Sequence, residues 1–131
     1  MLKKILITGA CGFIGSHLTE FMLNKGFKVT AYDLYNSKGS VGWLENIRKN
    51  KKLEIVLGDV RDYKSTLDLV KKTDYVFHLA ALISIPYSYN APYSFFQTNV
   101  EGTYNLLEAC RITKKKIIIT STREVYGSGR F

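Results

Sequence analysis

Eight residues near the start of the chain, Thr8-Gly9-Ala10-Cys11-Gly12-Phe13-Ile14-Gly15, combine types and spacing that could hold a phosphate. They follow an apolar run, Ile5-Leu6-Ile7, and lead into an amphipathic stretch from Phe13 to Leu23, which reads as strand, glycine turn, helix. In such a turn Gly9 allows the tight exit from the strand, Gly12 lets a pyrophosphate approach the backbone, and Gly15 lets the helix pack closely on the strand. The free N–H groups and the positive dipole end of the helix then face the phosphates. A glycine triplet alone is equally compatible with an empty turn, and the strand before it, the helix after it and an acid downstream give it weight.

That acid is Asp33, 18 residues after Gly15, at the end of the second apolar run, Lys28 to Tyr32. A carboxylate there accepts hydrogen bonds from the adenosine ribose hydroxyls and repels a 2′-phosphate, which favours NAD over NADP. The competing reading is an Asp that caps the turn. A third group, Gly58-Asp59-Val60-Arg61-Asp62, follows the third apolar run. Ligands gather at the carboxyl ends of parallel strands, so Asp59 could accept from an adenine amino group and Val60 could cover the ring. Asp59 or Asp62 could equally cap the next helix. After the fourth run, the small residues of Leu79-Ala80-Ala81 would let a cofactor lie against the backbone. The aromatic loop 82–92, with Ser84, Ile85 and Tyr87, is a candidate for substrate contact or for plain loop packing. His78 sits among apolar neighbours and reads as a satisfied core histidine. His17 has no metal partner at a suitable spacing, and no metal site is expected.

The elements that must position these groups alternate regularly. Strands are expected over 3–8, 28–32, 53–57, 74–78 and 116–121, and helices over 13–25, 42–49, 63–72 and 93–113. Residues 34–42 read as a polar, glycine-containing loop. Phe13, Ile14, Leu18, Phe21 and Met22 recur at helical spacing, and Val100, Tyr104, Leu107, Ala109 and Cys110 are expected on or near the buried side of the last helix. Repeated strand–helix units give a doubly wound parallel sheet of order 3-2-1-4-5 with right-handed crossovers.

The chain has 131 residues, enough for one domain with one core, and its 46% hydrophobic and 23% charged content is ordinary for a globular protein. Cys11 and Cys110 make no disulfide framework and read as reduced, mostly buried thiols. The formal charge of +8 comes partly from Lys49, Lys51 and Lys52 and from Lys114 to Lys116, each cluster just ahead of a strand. With no nucleic-acid reader motif and no apolar run long enough for a bilayer, neither nucleic acid nor membrane is an expected partner. No signal-peptide pattern is evident, which makes a cytoplasmic location the default.

These pieces together resemble the N-terminal part of an extended short-chain dehydrogenase/reductase of the NAD-dependent nucleotide-sugar epimerase/dehydratase family. The resemblance rests on residues 8–15, Asp33, residues 58–62, His-Leu-Ala-Ala at 78–81, Thr-Asn-Val-Glu-Gly-Thr at 98–103 and Ser-Thr-Arg-Glu-Val-Tyr-Gly at 121–127. Leu-Tyr-Asn-Ser at 34–37, Gly-Trp-Leu at 42–44 and residues 80–89 look most like the 4,6-dehydratases of nucleotide-linked N-acetylglucosamine. The resemblance implies a Rossmann fold over 1–131, truncated before its last strands and its substrate lobe. It implies NAD as cofactor and oxidation of the C4 hydroxyl of a UDP-, GDP- or dTDP-linked sugar, followed by water loss, inversion or decarboxylation. The parent protein would be a homodimer.

By the same resemblance Phe13 and Ile14 would give backbone N–H groups to the pyrophosphate, Asp33 would hold the ribose, and Asp59 with Val60 would frame the adenine. Leu79, Ala80 and Ala81 would line the nicotinamide half, and Asn99 would fix the loop after the fourth strand. Thr122 matches a hydroxyl that bonds the sugar, and Glu124 a carboxylate that helps remove water. Arg123 departs from the Asp usual before that Glu in dehydratases. The family's catalytic Tyr-x-x-x-Lys is also missing, because no Tyr in the chain has a Lys four residues later. The alternative is therefore a non-catalytic NAD- or nucleotide-binding module, and the 131 residues are expected to be inactive alone. An unpaired fifth strand is expected to leave an apolar edge that favours self-association.

Overall fold

A computed structural model describes residues 3–129. Residues 1, 2, 130 and 131 of the expected 1–131 domain lie outside the described residues. Five parallel strands, β1 (Lys4–Thr8), β2 (Lys28–Leu34), β3 (Leu53–Gly58), β4 (Tyr75–His78) and β5 (Lys116–Ile119), form one sheet in the order β3-β2-β1-β4-β5. The expected order is thus the observed one. β1 pairs with β2 from Lys4 opposite Lys28 to Thr8 opposite Tyr32, and with β4 from Ile5 opposite Tyr75 to Thr8 opposite His78.

The sheet is covered on both faces, and the two-residue period of β1 shows why. Ile5 and Ile7 point into a cluster with Leu23, Val29, Ala31, Val41 and Leu44. Leu6, between them, points into the opposite cluster with Tyr32, Val60, Val70, Val76, Leu106, Ala109 and Cys110. Helix α1 (Phe13–Asn24) and a 3₁₀ turn (Gly42–Ile47) cover the first face. Helices α2 (Tyr63–Lys71) and α5 (Gly102–Thr113) cover the second. α1 connects β1 to a neighbour on one side and later crossovers lead to the other side, so the switch point lies between the carboxyl ends of β1 and β4.

Several expectations need correction. The stretch 82–92 is not a continuous loop: Ile85–Asn90 form a short helix, α3, with Pro86 in its first turn, where the missing N–H costs nothing. The helix expected over 93–113 comprises α4 (Pro92–Phe96), a π-helical turn (Gln97–Glu101) and α5. The buried face of α1 consists of Gly15, Ser16, Thr19 and Leu23, while Phe13, Ile14 and Phe21 are exposed. Small side chains face the sheet because the helix backbone runs close to it, and the large apolar residues are displaced outward. In α5 the buried residues are Gly102, Leu106, Ala109 and Cys110, whereas Tyr104 and Leu107, and Val100 in the π-helical turn before them, are exposed. At β5, Ile117 packs inward but Ile118 and Ile119 are exposed, since the strand is the sheet's edge among the described residues. β5 ends at Ile119 rather than Ser121.

Candidate functional site

The candidate crevice is built from the turn after β1 and the end of β2. Gly9 has φ of +67°, and a Cβ there would sit 2.8 Å from the Ala80 amide nitrogen. A Cβ at Gly15 would sit 2.1 Å from the Gly9 carbonyl oxygen. Both positions are glycine because neighbouring backbone occupies the space a side chain needs. Gly12 is different. Its φ of −75° suits any residue, and its Cβ would make an ordinary 3.4 Å contact with the Gly9 oxygen. The protein's own packing does not require a glycine there, and the bare backbone leaves room for something outside the chain.

What that backbone presents is a set of donors. Gly12 is the N-cap of α1, and no side chain caps the helix. By contrast α2 is capped in the usual way, with the Asp62 carboxylate accepting from the Ser65 amide at 3.2 Å and from its hydroxyl at 2.6 Å. Asp62, then, is the capping acid of its run. The first N–H groups of α1, at Phe13 and Ile14, have no acceptor within the helix, and the dipole adds positive potential beside them.

Asp33 stands at the mouth of the same crevice, near the end of β2. One carboxylate oxygen accepts the Cys11 amide at 2.6 Å and the other accepts the Leu34 amide at 2.8 Å. The crevice, about 390 Å³, is lined by Cys11, Gly12, Asp33, Leu34, Asn36, Ser40 and Gly42. The 3₁₀ turn closes one side, with the Trp43 amide donating to the Cys11 carbonyl at 3.2 Å. Burial, reinforced by the Asp33 carboxylate, pushes the Cys11 thiol up to about 12. It stays protonated at neutral pH and serves as a small wall residue rather than a nucleophile.

At the end of β3 the Asp59 carboxylate is held by the Arg61 guanidinium at 2.9 Å and by its amide at 2.9 Å, which keeps it below the usual carboxylate range. The Asp59 carbonyl also accepts the Tyr32 hydroxyl at 2.6 Å. Val60 is buried, and a Cβ on Gly102 would come within 2.7 Å of it, so its side chain packs under α5. At the end of β4 the Ala80 amide donates to the Thr8 hydroxyl at 3.2 Å. The Asn99 amide side chain clasps Leu82 from both sides, accepting its N–H at 2.8 Å and donating to its carbonyl at 2.9 Å. Asn99 lies in the π-helical turn, a local irregularity that re-aims a side chain. Leu79 and Ala80 are partly covered, Ala81 is exposed, and Ser84, Ile85 and Tyr87 are exposed at the start of α3.

Beyond β5, Thr122 caps a 3₁₀ turn (Arg123–Tyr126) and its hydroxyl donates to the Glu124 carboxylate. Both side chains are exposed. The structure therefore brings Gly12 and Asp33 together in one crevice, with Gly9 and Gly15 in the same turn and Phe13 and Ile14 opening α1, and it sets Leu79 and Ala80 against Gly9. Thr122 and Glu124 form a separate pair at the same end of the sheet, past β5. Among the described residues no group of acidic, histidine or cysteine side chains could hold a metal ion. Three features escaped the sequence reading: the Cys11–Asp33 bond, the π turn carrying Asn99, and Thr103, one helical turn after Asn99, which bonds His78. Only the last had a sequence signal, the four-residue spacing itself.

A doubly wound sheet with a glycine turn after β1, an uncapped helix and an acid at the end of β2 defines the Rossmann class. Residues 6–130 match the profile of the GDP-mannose 4,6 dehydratase family. UDP-N-acetyl-alpha-D-glucosaminuronate decarboxylase of Bacillus cytotoxicus is 40% identical over 98% of this chain and 39% of its own length. CDP-paratose 2-epimerase of Salmonella typhi is 39% identical over 95% of this chain and 38% of its own. The crystal structure of DesIV, a dTDP-glucose 4,6-dehydratase from Streptomyces venezuelae with NAD bound, superposes with a TM-score of 0.87 at 30% identity, over 98% of this chain and 42% of that one. The chain belongs to the GDP-mannose 4,6 dehydratase family, within the extended short-chain dehydrogenases/reductases that include nucleotide-sugar epimerases, dehydratases and decarboxylases. It spans about two fifths of the length of the curated relatives it matches.

Proposed function

We propose that residues 1–131 form the NAD-binding part of a nucleotide-sugar enzyme, a 4,6-dehydratase or epimerase that oxidises the sugar C4 hydroxyl. The observation that carries this is Gly12: a glycine that the fold does not need, at the uncapped end of a helix, beside a carboxylate. The residues fit the cofactor. The Phe13 and Ile14 amides would bind the pyrophosphate, and Asp33 would accept from the ribose hydroxyls while repelling a 2′-phosphate. Asp59 and Val60 would frame the adenine, Val60 through its backbone edge. Leu79, Ala80 and Ala81 would line the nicotinamide half, with Asn99 holding the following loop. NAD supplies reversible hydride transfer when bound.

In this reading Thr122 bonds the sugar hydroxyl, Glu124 takes part in moving a proton when water is lost, and Ser84, Ile85 and Tyr87 contact the nucleotide sugar. Substrates are UDP-, GDP- or dTDP-linked sugars, and the narrower choice of an N-acetylglucosamine nucleotide rests on the resemblance at residues 34–37, 42–44 and 80–89. The parent acts as a homodimer in the cytoplasm. No helix among the described residues is long and apolar enough to cross a membrane.

A second reading is a non-catalytic NAD- or nucleotide-binding module, which would use the same glycine turn and Asp33. It predicts the same cofactor binding without turnover, so binding is the first thing to measure. Calorimetric titration of the chain should give NAD binding at least about tenfold tighter than NADP, a difference of roughly 1.4 kcal/mol. Equal affinities would remove the ribose assignment, and no heat with either would remove NAD binding by the chain on its own.

A further inference from the structure

His78 is 3% exposed and Thr8 fully buried, yet every polar atom between them and the neighbouring helix is satisfied. The Thr103 hydroxyl donates its single proton to the Asn99 carbonyl at 2.7 Å. It can then only accept from His78 Nε2, 2.9 Å away, so that nitrogen carries the ring proton. In a neutral ring Nδ1 is bare, and the Thr8 hydroxyl, 2.7 Å away, must donate to it. The Thr8 oxygen is thereby left with lone pairs for the amides of Leu79 at 3.3 Å and Ala80 at 3.2 Å. The opposite tautomer breaks the chain. Nδ1–H would donate to Thr8 and compete with both amides, and the Thr8 proton would have no acceptor. Burial alone pushes the imidazole down to about 4, consistent with a ring kept neutral.

We propose that Thr8, His78, Thr103 and Asn99 form one directional hydrogen-bond relay, and that His78, locked as the Nε2–H tautomer, is a positioning residue for the crevice wall at Leu79–Leu82. The relay has two ends on that wall. Thr8 holds the Ala80 amide, and Asn99, whose carbonyl anchors Thr103, holds both backbone groups of Leu82 through its side chain. It ties α5 and the π turn to the strand end whose backbone Gly9 approaches most closely. The functional part of this inference rests on the NAD reading, in which the wall faces the nicotinamide half.

The test has two arms. Two-bond ¹H–¹⁵N correlation NMR of the unmodified chain at neutral pH should show His78 with its proton on Nε2. A ring protonated on Nδ1, or on both nitrogens, overturns the relay without any mutation. In the second arm, Thr103→Val should weaken NAD by about tenfold and leave ADP, which reaches only the adenosine half, within about twofold. Thr103→Ser should restore both the tautomer and NAD affinity. Parallel losses for NAD and ADP, or a Ser variant no better than Val, would leave His78 a purely structural residue and overturn the positioning role. If the unmodified chain shows the Nε2–H ring but binds no NAD, the NAD reading fails while the relay stands, so the two failures are distinguishable.

Discussion

The Cys11 amide donates to the Asp33 carboxylate at 2.6 Å, joining the glycine turn after β1 to the end of β2. The acid read from the sequence as a ribose acceptor is also the staple of the loop that would cradle the phosphates. Its second oxygen accepts the Leu34 amide, so both oxygens have backbone partners and spare lone pairs toward the crevice. Replacing Asp33 by Ala should cost about 1–3 kcal/mol of stability from the orphaned amides. It should also weaken NAD far more than NADP. Thermal unfolding and paired titrations check both, and an equal loss for the two dinucleotides would refute the ribose role.

Gly12 and Gly15 make opposite predictions. A Cβ on Gly15 meets the Gly9 oxygen at 2.1 Å, and α1 cannot move away without opening the Ile5–Ile7 core. Gly15→Ala should therefore destabilise by about 1–3 kcal/mol or more and lose binding with the fold. Gly12→Ala should change stability by less than about 0.5 kcal/mol, as substitutions away from strained features do, while cutting NAD affinity about tenfold or more. Equal melting losses for the two variants would undo the claim that Gly12 is kept for a ligand.

The regularity of the fold was legible because parallel strands buried on two faces read as short apolar runs, and Ile5-Leu6-Ile7 and Val29 to Tyr32 are such runs. The faces of the helices were less legible. Periodicity picks out the largest apolar residues, and in α1 these are Phe13, Ile14 and Phe21, which the structure leaves exposed. The packed face uses Gly15, Ser16 and Thr19, whose value is small size, a property invisible to a hydrophobicity count. The apolar neighbours of His78 make its burial legible, but not what satisfies the ring. Its partners Thr8 and Thr103 lie 70 and 25 residues away, a separation that only the parallel register resolves.

His78 should set a pH window for stability. Its folded-state value is pushed down to about 4 by burial, whereas an unfolded histidine titrates near 6.5. Between these values the unfolded chain binds a proton that the folded chain does not. Stability is fully present above about pH 6.5 and falls as pH drops toward 4, by up to about 3 kcal/mol. Glu54, Asp59, Asp62 and Glu108, held below their usual range by hydrogen-bond partners, lose their contributions only as pH falls through the carboxylate range. The interval from pH 6.5 to 5 lies above that carboxylate range, and the chain's second histidine, His17, is common to the unmodified chain and a His78→Gln variant. Denaturant unfolding across that interval should slope in the unmodified chain and lie flatter in His78→Gln.

The two thiols should be inert in the native chain. Burial pushes Cys110 up to about 11, and burial with the Asp33 charge pushes Cys11 up to about 12. At pH 7.5 the thiolate fraction of Cys11 is smaller than that of a free cysteine by roughly a thousandfold or more, and alkylation should slow accordingly. Iodoacetamide labelling followed by mass spectrometry checks this, with the denatured chain as reference. Labelling of Cys11 at a free-thiol rate would revive it as a nucleophile.

The open edge of β5 makes the last prediction. Ile118 is 60% exposed and Ile119 40% exposed, on a strand whose outer side has no partner among the described residues. An apolar groove of about 430 Å³ runs along it between Tyr75, Val76, Phe77, Lys116, Ile117 and Ile118. Lys116 at the strand's start is the kind of residue that discourages edge pairing, but the following three isoleucines favour it. The 131-residue chain should therefore associate with itself as concentration rises. Ile118→Lys should shift it toward monomer, because a charge on an exposed edge position costs a pairing strand more than it costs the sheet. Sedimentation velocity over a concentration series measures this directly. A chain that stays monomeric and unfolds in one sharp transition at every concentration would mean that the edge is protected by its own twist and by Lys116.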